Sequence, residues 1–372
     1  MTFNFKRLQG EHSSTISSKI KKSTINLGVG DPQYRIPKEE VINLLKSINN
    51  KDISYTNPSG LNSLKESICK NNLNLKLNPN NIIITPGGKT GIFYAFLILG
   101  VSGAEAVLPE IGFPTYLSLA RYTGMQVKKY SLKEKNFFRP MAQDIIDQVS
   151  KKTKLIVINS PHNPTGAVME DREMEKLVKF IKKKKIYIVS DEIYSDLIFK
   201  NKKYTSFAQF KDIHEKIIIL NGWSKNFGMT GWRIGWSYWP SKFIKNMELL
   251  CLNSNTCPSY VSQKLIEKII SKKKYVQDHK RQLKINRDYI FKKYKGIGHL
   301  LPDGAIYLFI KIPKKFKSDH EFCEFFFSKY KIAVIPGSSF GIKGKKFVRV
   351  NFSKKIIYVE KFIKNFLKNN VK

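Results

Sequence analysis

The chain has 372 residues, 42% hydrophobic and 12% aromatic, which is ample for a packed interior and excludes a disordered chain. At that length two domains or one large α/β unit are expected. The net charge of +37 invites a nucleic-acid reading, but the charge is spread along the chain, is lysine at 57 of 66 basic positions, and accompanies no zinc-finger spacing, aromatic binding strand or basic tail, so nucleic-acid binding is not expected.

In chain order, Lys6 and Arg7 precede no apolar run, so a signal peptide is not expected. From about residue 80 to 240, short β-rich runs alternate with helical ones. The predicted strands are 81–85, 106–110, 126–132, 154–160, 186–190, 216–221 and 233–239, with amphipathic runs such as 173–184 between several of them. That alternation predicts a mostly parallel sheet with helices on both faces, binding its ligand at the carboxyl ends of the strands. The run "GIFYAFLILGV" (91–101) is too short to span a bilayer and reads as a buried helix, so no membrane partner is expected. After Pro258 come a long charged helical stretch to about Tyr294, strand-like 305–312, helical 319–330, strand-like 347–353 and a last amphipathic helix. These read as a smaller α+β domain onto which the first forty residues pack. The expected division is 46–255 for the large domain, with 1–45 and 256–372 for the small one. Cys69, Cys251, Cys257 and Cys323 form no CxxC pair, and neither they nor the six histidines show metal-ligand spacing. Free thiols in a reducing, cytoplasmic setting and no metal site are expected.

Four strand ends carry more polar residues and glycines than a turn requires. "TPGGKTG" (85–91) offers backbone N–H groups and a helix N-terminus to a phosphate. It is not a Walker A loop, because the first glycine of that motif would fall at Ile83. "NSPHNPTG" (159–166) combines Asn159, His162 and Asn163, where a plain Asn-Pro turn needs no such set; His162 reads as a satisfied loop histidine. "VSDEIYSDL" (189–197) puts Asp191 at the end of an apolar strand, where a carboxylate needs a cation, with Tyr194 three residues on. The alternative for this stretch is a helix cap. "GWSKNFGMTGWRIG" (222–235) follows the next strand, and a lysine at the mouth of a sheet, near a phosphate site and a buried aspartate, is placed to form a Schiff base.

In this order the segments resemble the class I/II (fold type I) pyridoxal-phosphate aminotransferases, in particular those related to bacterial aspartate aminotransferases. The resemblance runs from "INLGVGDP" (25–32) through "YTNPSGLNSLKESI" (55–68), "GFPTY" (112–116) and "PDGAIYLF" (302–309) to "VRVNFS" (348–353). It implies the fold type I architecture, pyridoxal 5'-phosphate, a role in amino-acid metabolism and a homodimer. It implies that Lys225 binds the cofactor as a Schiff base and moves the substrate proton. Asp191 would pair with the ring nitrogen, Tyr194 and Asn163 with the ring oxygen, and Phe113 would stack on the ring. Gly88, Lys89, Ser224 and Arg233 would hold the phosphate, with Tyr55 reaching that of the neighbouring subunit. Arg349 would clamp the substrate α-carboxylate, with Gly30 and Asn163 lining that subsite.

Lys89 falls where several relatives that accept acidic substrates carry a lysine, which favours aspartate or glutamate with an oxo acid such as 2-oxoglutarate. The alternative is a solvated lysine or one that serves the phosphate only. Arg35 is a second candidate for the distal carboxylate. A C–S β-lyase on the same fold is the competing chemistry.

Overall fold

The computed structural model describes residues 24–199, 204–293 and 301–370. Residues 1–23, which the sequence reading gives to the small domain, and Tyr294 at the expected end of the long helix lie outside them. The strands are β1 Ile25–Asn26, β2 Ile82–Thr85, β3 Glu105–Pro109, β4 Gln126–Tyr130, β5 Thr153–Asn159, β6 Tyr187–Asp191, β7 Ile217–Gly222, β8 Gly235–Tyr238, β9 Tyr307–Lys311, β10 Ile332–Ala333, β11 Ile335–Pro336 and β12 Phe347–Asn351.

Seven strands form the central sheet in the order β2-β8-β7-β6-β5-β3-β4. Every pairing is parallel except the two made by β8. The inner strands are largely apolar because both faces are covered, whereas the edge strand β4 exposes Gln126, Lys128 and Lys129. Ile156, Ile158, Ile188, Ile217 and Ile219 enter the core on one side, and Leu155, Val157, Val189, Ile218 and Leu220 the core on the other. Successive residues of a strand point to opposite faces, so an unbroken apolar run is what a doubly covered sheet demands. One covering helix is Gly88–Leu99, the apolar run noted above, whose Ile92, Ala95, Phe96 and Leu99 are buried. The predicted strand 233–239 begins at Gly235, since Arg233 sits at φ 50°, outside the extended region.

A second body holds the antiparallel sheet β11-β12-β9 and the helices Lys273–Lys293, Asp319–Tyr330 and Ile356–Asn370. Its core runs from Leu283 and Ile290 through Phe322, Phe326, Phe362 and Phe366. The spacing of four within each phenylalanine pair places both rings on one helix face. The N-terminal strand joins this body: β1 pairs in parallel with β10, Ile25 opposite Ile332. The helix Tyr260–Ile269 does not, for its Leu265, Ile266 and Ile269 are buried in the same core as Leu64 and Ile68 of the helix Asn62–Asn71. An amphipathic helix shows the same sequence pattern whichever body it faces, so the 256–372 grouping had no local signal against it. Among the described residues no helix is long and apolar enough to cross a membrane.

Candidate active site

The carboxyl ends of β2, β5, β6 and β7, the N-terminal segment and residues from β9 and β12 enclose a cavity of about 620 Å³. Asp191, Tyr194, Asn163, Ser224 and Lys225 line it from the central sheet. Gly88, Lys89, Phe113 and Arg233 line it at the β2 side, and Gly30 and Arg349 come from elsewhere in the chain. Tyr55 is not among the lining residues and is 84% exposed.

Asp191, the last residue of β6, is only 6% exposed. The Tyr116 hydroxyl donates to its Oδ2 at 2.6 Å and the Ile193 N–H to its Oδ1 at 3.2 Å. Burial pushes its carboxyl above the ordinary range, while these hydrogen bonds and the charge of Lys225 pull the other way. Asn159 ties the strand end together by donating to the Asp191 carbonyl at 3.0 Å.

Lys225 follows β7 and points across the cavity, where its Nζ donates to the carbonyl of Gly30. Burial is the main cause of a pKa below the usual lysine range; Arg349 and Arg233 lower it further and Tyr307 and Asp31 oppose. More of the amine is therefore neutral, and nucleophilic, near neutral pH than for a surface lysine.

Arg349 is 7% exposed and held between two rings, its guanidinium carbon 4.2 Å from the centre of Tyr307 and 4.7 Å from that of Phe340. Its Nη1 donates to Asn163 Oδ1 at 2.9 Å and its Nη2 to the Gly28 carbonyl at 2.6 Å. Its Nε is buried with no hydrogen-bond partner among the described residues. A buried donor left open is costly unless something occupies it, and a carboxylate would. The hydroxyls of Tyr194 and Tyr307 lie 2.9 Å apart.

At the opposite end the helix Gly88–Leu99 begins after Gly87, which stands at φ 83° and offers no side-chain cap. A Cβ on Gly87 would lie 2.5 Å from the Arg233 guanidinium, and one on Gly235 would lie 2.6 Å from the Gly88 nitrogen. Only glycines allow this approach, and the result is an uncapped helix N-terminus beside a guanidinium, a site suited to a phosphate. The Lys89 ammonium lies 5.2 Å over the ring of Phe113.

Arg35 does not line the cavity: it pairs with Asp31 at 2.7 Å, and it also donates to the carbonyls of Pro32 and Tyr34. Its charge is met here by a neighbour four positions away, so the structure adds no support to a role on a substrate carboxylate. His162 is buried with Nδ1 2.8 Å from Thr165 Oγ1, and burial lowers its pKa to about 4. Sequence reasoning assigned nothing to Tyr116, Tyr307, Asp31 and Thr230, all of which line the cavity. Tyr116 and Tyr307 lie within the quoted segments "GFPTY" and "PDGAIYLF", which were the available signal.

The family model for aminotransferase class I and II matches residues 22–365. The aspartate aminotransferase of Pyrococcus horikoshii is 32% identical over 347 residues, covering 91% of this chain and 88% of that protein. Among solved structures, the aspartate aminotransferase of Thermotoga maritima aligns with a TM-score of 0.86 at 28% identity, covering 95% of this chain and 94% of that one. The aromatic aminotransferase of Pyrococcus horikoshii aligns with a TM-score of 0.87 at 26% identity, over 96% and 98% of the two chains.

Proposed function

The chain belongs to the class I and II aminotransferases, and on that premise we propose that it acts on an acidic amino acid, aspartate or glutamate, with Lys225, Asp191 and Arg349 at the centre of its site. It is a pyridoxal-phosphate-dependent enzyme that moves an amino group between an amino acid and a 2-oxo acid. The observation that carries the assignment of residues is one cavity holding a buried carboxylate, a half-buried amine of lowered pKa and a buried guanidinium with an open donor.

These residues fit the cofactor: an uncapped helix start beside Arg233 suits its phosphate, and the carboxylate at Asp191 suits its ring nitrogen. When bound, the cofactor supplies an electron sink for the pair left by a breaking Cα–H bond. Lys225 would hold it through Nζ and, when free, would take the proton from the substrate Cα. Asp191 keeps the ring nitrogen protonated, and that cation offsets the cost of burying the carboxylate. Tyr194 and Asn163 orient the ring oxygen, Phe113 covers the ring, and the backbone at Gly88 and Lys89, Ser224 and Arg233 hold the phosphate. Arg349 binds the α-carboxylate, with Gly30 beside it, where a Cβ would collide with the Tyr307 hydroxyl.

Lys89 supports the acidic substrate. Its ammonium stands at the cavity with no carboxylate in ion-pair range among the described residues, free to meet a distal carboxylate. Exposed Tyr55 supports a homodimer in which this ring reaches the neighbouring phosphate site. The expected large domain, 46–255, would carry the cofactor; the packing of Ile36, Leu44 and the helix Tyr260–Ile269 in its core argues for adding both segments to it, with the smaller domain built from the second body. Free cysteines suit the reducing cytoplasm.

The test is a half-reaction. The protein with added cofactor is titrated with L-glutamate or L-aspartate, without an oxo acid, while the visible spectrum is recorded. Loss of the long-wavelength band with release of an equivalent of 2-oxo acid supports the reading, with alanine and phenylalanine as comparison substrates. A response to those two but to neither acid would overturn the acidic preference, and pyruvate with thiol from cystathionine would point to a lyase.

A further inference from the structure

A second concavity, about 990 Å³, opens on the smaller body and shares no lining residue with the first. Five of its fourteen lining residues are lysines, namely Lys311, Lys314, Lys317, Lys345 and Lys346, against 57 of 372 in the whole chain, and His320 stands among them. Composition bias explains lysines scattered on convex surface, where each ammonium spreads its field into water. It does not explain their convergence on one concave wall, where like charges reinforce one another's potential.

Three local carboxylates, Glu134, Asp319 and Glu321, reduce this field, and the five lysines still outnumber them; Glu321 accepts the Lys317 N–H at 2.7 Å. Lys311 pairs with Glu134 at 3.1 Å. Asp319 is buried and accepts the Ser338 N–H at 2.7 Å, which fixes its position and leaves its charge at the groove wall. Lys314, Lys317, Lys345 and Lys346 have no carboxylate in ion-pair range among the described residues. Ser338 adds a hydroxyl, 3.1 Å from His320 Nε2, and Ile342, 59% exposed, adds an apolar surface.

We propose that this groove binds a triphosphate-bearing anion of nucleotide size. Four unpaired ammonium groups exceed what one carboxylate or one monophosphate neutralises, and they match a chain of linked phosphates. The volume is that of a site for a molecule of some tens of atoms rather than a lone ion. Exposed Ile342 gives the remainder of such a molecule an apolar contact.

The test uses the full-length holoenzyme, whose own phosphate site is then filled, at about 0.15 M ionic strength to suppress diffuse attraction. Calorimetric titration with ATP and with inorganic tripolyphosphate is expected to show saturable binding and mutual competition. The triple variant Lys314→Ala, Lys345→Ala, Lys346→Ala should weaken it by about tenfold or more, as expected from three partly solvated charge contacts. The control triple Lys182→Ala, Lys183→Ala, Lys185→Ala, in a lysine run on another surface, should change it by less than about twofold. Tighter binding of ATP than of tripolyphosphate would identify a nucleotide, and equal binding the phosphate chain alone; both support the site. Absence of saturable binding, or equal weakening by both triples, or a long RNA whose binding both triples weaken equally, overturns it.

Discussion

The molecule has two cation-lined concavities, and they are built in opposite ways. In the cavity between the bodies two cations are held, while Lys89 and Arg233 stay exposed at its edge: Arg349 lies between two rings and half-buried Lys225 donates to Gly30. In the groove on the smaller body the cations are exposed lysines on long flexible stems. Fixed, desolvated cations read the geometry of a ligand, whereas mobile, solvated ones respond to its charge density. The lesson is that cations alone do not make a catalytic site; burial, a counter-group and restraint do.

Substitutions in the cavity sharpen that contrast. Lys225→Ala should lower turnover by about 10⁴-fold and abolish the covalent cofactor band, since it removes both the point of attachment and the amine that would move the proton. Arg349→Lys keeps the charge but loses the planar, two-ring restraint, and kcat/KM should fall by roughly 100-fold, from the loss of charge-assisted hydrogen bonds. If lysine served as well, the contrast between fixed and mobile cations would break. Lys89→Ala should lower kcat/KM for glutamate and aspartate by about fivefold and leave alanine unchanged, the loss of one partly solvated ion pair. A uniform loss across substrates would make Lys89 a phosphate residue instead.

Tyr116→Phe is the subtlest case and is read by pH. Burial raises the pKa of Asp191 and the Tyr116 hydrogen bond lowers it, so loss of the hydroxyl raises it further. The carboxylate exists above that pKa and is lost as pH falls through it. Cofactor affinity, measured by equilibrium titration across pH, should therefore begin to fall at a higher pH in the variant than in the wild type. Coincident profiles would show that Tyr116 is only packing.

The central sheet was legible because a doubly covered sheet writes itself as unbroken apolar runs, and β5, β6 and β7 do so. The strand ends were legible because more polar residues gather there than a turn or a helix cap requires. The partner of Asp191 was not, since a tyrosine 75 positions away carries no local mark of where its hydroxyl goes. The packing of Tyr260–Ile269 was hidden for the same reason, its partner lying some two hundred residues upstream. The fate of Arg35, by contrast, was open to view: Asp31 stands four positions before it.

The reversal of β8 has a consequence for how this site can be rebuilt. A parallel strand lends only its far end to the ligand edge, so Asn159 and Asp191 each depend on a separate crossover. Because β8 runs back, one connection leaves and re-enters at that same edge, delivering both Lys225 and Arg233. Its two ends are stapled by the facing pair Gly222 and Gly235, where a Cβ on the first would lie 2.9 Å from the second. Residues 223–234 thus hang between two fixed posts, and because Trp223, Phe227, Met229 and Ile234 are buried in the core, any rebuilt connection must keep those four anchors as well as both glycines.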